Sequence, residues 1–136
     1  MTQIKKYSWL AIISCFVIMQ SMTAVAEGDP VNGKEVFQTE CTACHNFIKG
    51  AKPDMYGVVL PLYGIVGAKA AQVKGFFYSK ALRESGLIWD EKLLDEYIED
   101  PMGTIPGIRM QYAGLKDKKA RTDMIAYFKD EMAKNQ

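Results

Sequence analysis

Residues 41–45 read Cys41-Thr42-Ala43-Cys44-His45, and this stretch decides how the rest of the chain is interpreted. Two cysteines three positions apart, followed at once by histidine, form the attachment signature of c-type haem. On one helical turn both sulfurs reach the same porphyrin edge, where each can add to a vinyl group as a thioether. The adjacent imidazole is then directed at the iron. The sequence therefore predicts one covalent haem c, bound through Cys41 and Cys44, with His45 as an axial ligand.

The same five residues allow two other interpretations. A structural or catalytic disulfide would explain the cysteines, but it leaves His45 unexplained, and no βαβ pattern surrounds the motif. A zinc site would need a fourth ligand, and neither Cys nor His follows His45 in the sequence. The single His of the chain also excludes a bis-histidine haem within one protomer.

Composition narrows the class of protein further. The chain has 136 residues, 49% of them hydrophobic, which fits one compact domain. Its 17 Lys and Arg nearly balance 16 Asp and Glu. Because nucleic-acid binding depends on a strong basic excess, we expect no nucleic-acid partner.

The first 26 residues have the order of a secretory signal. Lys5 and Lys6 precede an apolar run over 7–19, and Ala24-Val25-Ala26 offers a cleavage site. We expect cleavage after Ala26, which leaves residues 27–136 as one exported domain, in the periplasm if the source is bacterial. The alternatives are a retained membrane anchor and lipidation at Cys15, and only a retained segment would associate the protein with a membrane.

Hydrophobic periodicity predicts helices at both ends of this domain and irregular structure between them, so the fold class is all-α. A first helix begins at Asp29-Pro30 and places Gly33, Phe37, Cys41 and Cys44 on one face. Further helices are predicted over 79–85, 90–100 and 117–134. Residues 48–78 and 102–115 are rich in Gly and Pro and are predicted to be loops, and no strand with alternating polarity is predicted.

The second axial ligand is expected among the methionines beyond residue 26, which are Met55, Met102, Met110, Met124 and Met132. Two of them, Met124 and Met132, fall on the apolar stripe of the last helix and are predicted core residues. Met110 follows Pro106-Gly107 in an irregular loop, far enough from His45 to reach the other side of the ring. Met110 is therefore the predicted ligand, and a thioether there raises the reduction potential relative to a second imidazole.

The chain resembles the class I cytochrome c family, in the branch of mitochondrial cytochrome c and its small bacterial relatives. The resemblance runs from about residue 28 to 134. It rests on the motif and on stretches in family order, which are residues 33–37, 62–67, 75–78, 86–89, 97–101, 105–110 and 125–128. It implies that 27–136 is a cytochrome c domain with its terminal helices packed together and long loops around the haem. Gly33 and Phe37 would pack the first helix against Tyr127 on the last helix, with Gly33 allowing the two backbones to approach closely.

The same resemblance implies a role for three aromatic side chains in the haem pocket. Tyr78 and Trp89 would hydrogen-bond the inner propionate, and Tyr97 would lie beside the sulfur of Met110. Two positions depart from the family pattern, because Ile108 stands where threonine is common and Ala68 where arginine is frequent. The carbonyl that supports the ligand histidine is also open, since the proline of that stretch, Pro61, comes one place late and follows Leu60.

With both axial positions filled, small molecules cannot easily reach the iron, and little rearrangement accompanies a change of charge. We therefore expect a monomeric single-electron carrier without substrate turnover, acting between protein donors and acceptors of a respiratory or related chain. The alternative is a haem enzyme domain with an open sixth position, such as a peroxidase or nitrite-reducing subunit. Lys116, Lys118 and Lys119 are either a solvated turn or a docking patch for a redox partner.

Overall fold

Residues 28–135 are described by a computed structural model of the chain. The predicted signal segment, its cleavage site and Cys15 lie outside this part. The described chain contains five helices and one two-stranded parallel ladder, in the order α1 Pro30–Glu40, β1 His45–Asn46, β2 Leu60–Pro61, α2 Lys80–Glu84, α3 Glu91–Glu99, α4 Pro101–Thr104 and α5 Lys118–Lys134. None of these helices is both long enough and apolar enough to cross a bilayer.

The predicted helices begin where a side chain caps the first turn. The carboxylate of Asp29 accepts from the backbone N–H groups of Val31 and Asn32, and Asp90 accepts from Leu93. The hydroxyl of Ser79 accepts from Leu82 at 3.2 Å, and so starts α2. Each bond satisfies a backbone donor that the helix itself leaves unpaired. The all-α prediction and its helix starts are confirmed.

Three details differ from the sequence prediction. Helix α1 ends at Glu40, so Cys41 and Cys44 lie in the turn that follows it rather than in the helix. Helix α4 forms within a segment predicted to be irregular, because Asp100 caps it through the N–H of Gly103 and Pro101 suits its first position. The β1–β2 ladder was not predicted, since two residues per strand leave no alternation to recognise.

Helices α1 and α5 cross with their backbones in close contact. A Cβ at Gly33 would lie 1.9 Å from the carbonyl oxygen of Asp123, so only glycine permits this approach. Beside it, the ring of Phe37 lies 5.8 Å from Tyr127 and 5.6 Å from Phe128, measured between centroids. The expected contacts of Gly33 and Phe37 with α5 are confirmed, and they place the start of the haem motif against the C-terminal helix.

A buried carboxylate strengthens this crossing. Asp123 is 1% exposed and accepts from the N–H of Asp29 at 2.9 Å, from Asn32 Nδ2 at 2.6 Å and from Lys119 Nζ at 2.5 Å. Burial by itself would raise the pKa of Asp123, but these three donors together outweigh it and hold the pKa below its ordinary value. The first residues of α1 are thereby bonded to the middle of α5.

Candidate haem site

The turn after α1 presents both cysteines of the motif to one cavity. The N–H groups of Cys44 and His45 donate to the carbonyl of Cys41 at 3.1 and 2.9 Å, so the chain coils tightly at the helix end. Both cysteines are free thiols, Cys41 half-buried and Cys44 exposed, and both line the cavity. Burial, followed by the nearby carboxylate of Glu40, raises the pKa of Cys41 to about 11. This sulfur is therefore a protonated thiol at neutral pH.

The β1–β2 ladder orients His45. Leu60 donates its N–H to the carbonyl of Cys44 at 3.0 Å, and Leu62 donates to Asn46 at 2.8 Å. The carbonyl of Leu60 then lies 3.1 Å from Nδ1 of His45. Because a carbonyl only accepts, Nδ1 carries the proton and Nε2 keeps its lone pair. The carbonyl left open by the sequence is therefore that of Leu60, the residue before the displaced proline.

The imidazole of His45 is in the state that metal binding requires. Burial lowers the pKa of His45, and the backbone hydrogen bond to Leu60 opposes this only in part. The ring is therefore neutral at pH 7, and Nε2 is available as a ligand. The cavity that it lines has a volume of about 900 Å³ and mainly apolar walls, within the size range of cofactor pockets. Two free thiols, a neutral imidazole and a thioether that line one such cavity fit a covalent haem.

All three predicted pocket aromatics are buried and line this cavity: Tyr78, Trp89 and Tyr97. The rings of Trp89 and Tyr97 meet edge to face with centroids 4.8 Å apart. Backbone bonds fix Trp89, since its N–H donates to Ala68 and its carbonyl accepts from Gly67, both at 2.8 Å. Burial raises the pKa of Tyr97 to about 12, so its hydroxyl keeps its proton and remains a donor.

The methionines differ in their exposure and in whether they line the cavity. Met55 is 85% exposed and Met102 is 49% exposed, and neither lines the cavity. Met124 is buried in the core as predicted, but it also reaches the cavity, where its Sδ lies 3.7 Å from Sγ of Cys41. Met110 is half-buried, lines the cavity, and follows the turn at Gly107, whose φ is +88°. The structure thus brings Met110 to the same cavity as His45.

Two cavity residues were not singled out from the sequence. The hydroxyl of Tyr112 donates to Oε2 of Glu40 at 2.9 Å, across 72 residues of sequence. Burial and then the Glu40 carboxylate raise the pKa of Tyr112, so the hydroxyl stays protonated. No local sequence pattern indicates this hydrogen bond, because it forms only when the loop after Met110 contacts the end of α1.

The departures from the family pattern have simple structural outcomes. Ile108 is buried in the core, and Ala68 lines the cavity without a polar side-chain group.

The lysine cluster of residues 116, 118 and 119 forms contacts within the chain. Lys118 pairs with Asp95 and Lys119 with Asp123, each at 2.5 Å, while Lys116 donates to the carbonyl of Glu99. Two of the three charges are compensated within the chain, which weakens the docking-patch interpretation of this cluster.

Comparison with known proteins supports the fold that the family resemblance of the sequence implies. The sequence profile described as cytochrome c matches residues 30–132. Cytochrome c2 of Rhodomicrobium vannielii is 44% identical over 110 residues, covering 81% of this chain and 85% of that protein. Cytochrome c2 of Blastochloris viridis is 38% identical over 118 residues, 87% of this chain and 90% of that protein. The solved structure of cytochrome cH from Methylobacterium extorquens superposes with a TM-score of 0.66 at 40% identity, covering 76% of this chain and 99% of that one.

Proposed function

Because this chain belongs to the class I cytochrome c family, we propose that Cys41 and Cys44 bind its haem covalently and that His45 and Met110 are the axial ligands of the iron. The family carries one covalent haem c, and the protein is a monohaem electron carrier. The single observation that supports the residue assignment best is the shared cavity. Both thiols, the imidazole and the thioether line one apolar space of about 900 Å³.

The chain's own residues prepare this site for electron transfer. When bound, haem supplies an iron that takes up and releases one electron. The Leu60 carbonyl keeps the proton of His45 on Nδ1, and Tyr78, Trp89 and Tyr97 exclude water from the interior of the pocket. We propose that Met110 completes the site, so that substrates cannot reach the metal and the protein turns over none. A soft thioether favours the ferrous state.

The location and the finer identity of the partners extend this proposal. We propose that residues 1–26 direct export to the periplasm, where the domain exchanges electrons with protein donors and acceptors of a respiratory or related chain. The order of basic, apolar and small residues in that segment supports export. Without Lys5 and Lys6, residues 27–136 have 15 Lys and Arg against 16 Asp and Glu, and this near balance supports docking through a local surface rather than through overall charge.

A spectroelectrochemical titration of the holoprotein tests the proposed function. We expect one reversible one-electron transition, with a weak far-red sulfur-to-iron band in the oxidised form only. Azide added to the oxidised form should change the spectrum little, because Met110 occupies the sixth position. A high-spin ferric spectrum that azide shifts readily would instead support the haem enzyme with an open position.

A further inference from the structure

Residues 106–114, called the Met110 segment here, are held by very few hydrogen bonds. Within residues 28–135, no backbone–backbone hydrogen bond of normal geometry involves this segment beyond the turn at residues 106–107. Packing fixes its first part through the buried side chain of Ile108, and a bond from the N–H of Leu115 to Ile98 at 2.8 Å fixes the chain just after it. Met110 lies between these anchors, so its position depends on side-chain contacts.

Two side-chain hydrogen bonds hold the segment between its anchors. Both are exposed, and they differ in length: Arg109 donates through Nη1 to the carbonyl of Phe77 over a long 3.4 Å. Tyr112 donates to Glu40 at 2.9 Å, well within the normal range. Because Tyr112 is two residues from Met110, this bond is the stronger polar restraint on the predicted ligand.

The position of Glu40 indicates that its carboxylate serves this contact rather than its own helix. Glu40 is the last residue of α1, where the helix dipole disfavours a negative charge, and the last turn contains no basic residue. Among the described residues, Tyr112 is the one hydrogen-bond donor to this carboxylate, and no cation forms a salt bridge with it. Glu40 also directly precedes Cys41 and lines the same cavity as Tyr112.

We propose that the Tyr112–Glu40 hydrogen bond is a positioning contact, which ties the Met110 segment to the haem-attachment turn and so limits how easily another ligand replaces the Met110 thioether. This inference rests on the proposed function, since it takes Met110 as the axial ligand. The two ends of the bond come from the two parts of the chain that would hold the haem. Loss of the bond leaves the thioether in place but makes its displacement easier.

Imidazole provides a suitable probe, because it is a small ligand that competes with a thioether for ferric iron and is largely uncharged at pH 8. The apparent affinity for such a competitor is proportional to the fraction of molecules in which Met110 has moved away. In the oxidised holoprotein, imidazole binding is followed by loss of the far-red band. We expect Tyr112→Phe to increase the apparent imidazole affinity about tenfold, the scale of one lost hydrogen bond to a charged group.

Matched variants separate this contact from general loosening. Glu40→Ala should act like Tyr112→Phe, and the double variant should bind imidazole no more tightly than either single one. Glu40→Gln keeps an acceptor oxygen and should stay within about threefold of the parent. Thr39→Val is the control, because it removes a hydroxyl bond to the Glu35 carbonyl on the exposed face of the same helix and should leave imidazole binding unchanged.

The outcomes distinguish failure of the positioning contact from failure of the Met110 ligand assignment. If the parent shows the far-red band but Tyr112→Phe binds imidazole within twofold of it, or the single effects simply add, the positioning contact is wrong while Met110 remains the ligand. If the parent lacks the band and binds imidazole without competition, then the Met110 assignment fails and the positioning role fails with it. Unfolding of each oxidised variant in urea is measured alongside. Because the bond is absent from the unfolded chain as well, the free energy of unfolding should fall by no more than about 1.4 kcal/mol, which is the same tenfold effect. A much larger loss of stability in Tyr112→Phe would show general loosening and would contradict a specific positioning contact.

Discussion

Met110→Ala is expected to abolish the far-red band and to open the sixth position of the iron. If Met110 is the sixth ligand, as proposed, its thioether competes with any external ligand in the parent, so only the small fraction of molecules with a displaced Met110 can bind azide. If that fraction is about 1%, removal of the competitor raises the apparent azide affinity about a hundredfold. Absorbance titration of the oxidised holoprotein with azide measures this change directly.

Met102→Ala is the matched control for this substitution. Met102 precedes Met110 by one short segment, is 49% exposed and does not line the cavity. The variant should keep the far-red band and the low azide affinity of the parent. If Met102→Ala loses the band while Met110→Ala retains it, the ligand assignment is wrong, and the segment after α3 must approach the haem differently.

Gly33→Ala is expected to lower the free energy of unfolding by about 3 kcal/mol, at the upper end of the usual cost of overpacking. The added Cβ would lie 1.9 Å from the carbonyl oxygen of Asp123 and 2.8 Å from the N–H nitrogen of Met124. Both are backbone atoms, so α1 and α5 must move apart. Such a movement also disturbs the turn at Cys41. Urea unfolding of the holoprotein measures the loss.

The control for Gly33→Ala is Lys34→Ala, at the next position of α1. Lys34 is exposed, and alanine is a good helix former, so this variant should change the stability by less than about 0.5 kcal/mol. A comparably small change for Gly33→Ala would show that the two helices do not require glycine at their crossing.

The helices could be predicted because their signals are local. A capping side chain lies directly before each of four helices and accepts hydrogen bonds from the first turn; these residues are Asp29, Ser79, Asp90 and Asp117. A few neighbouring residues are therefore enough to indicate where a helix begins. The β1–β2 ladder could not be predicted in this way. It joins His45 to Leu60 across a loop, and its register depends on the whole path of that loop.

The candidate site likewise contains some features with a local sequence signal and others that depend on tertiary contacts. The spacing of Cys41, Cys44 and His45 is itself the signal, so the sequence alone predicts an attachment turn and one axial ligand, and the structure brings these side chains to one cavity. Which carbonyl accepts from His45 could not, because every residue near Pro61 offers one. The Tyr112–Glu40 pair and the compensated charges of the lysine cluster are likewise products of tertiary contact, which no short window of sequence contains.

The most direct test of the attachment at Cys41 and Cys44 is the mass of the protein produced in a host with a haem-attachment system. Intact-mass analysis under denaturing conditions should give the mass of the polypeptide plus one haem, and peptide mapping should place the haem on the peptide that contains residues 41–45. A polypeptide mass without haem, with the two sulfurs free or joined to each other, would contradict the assignment.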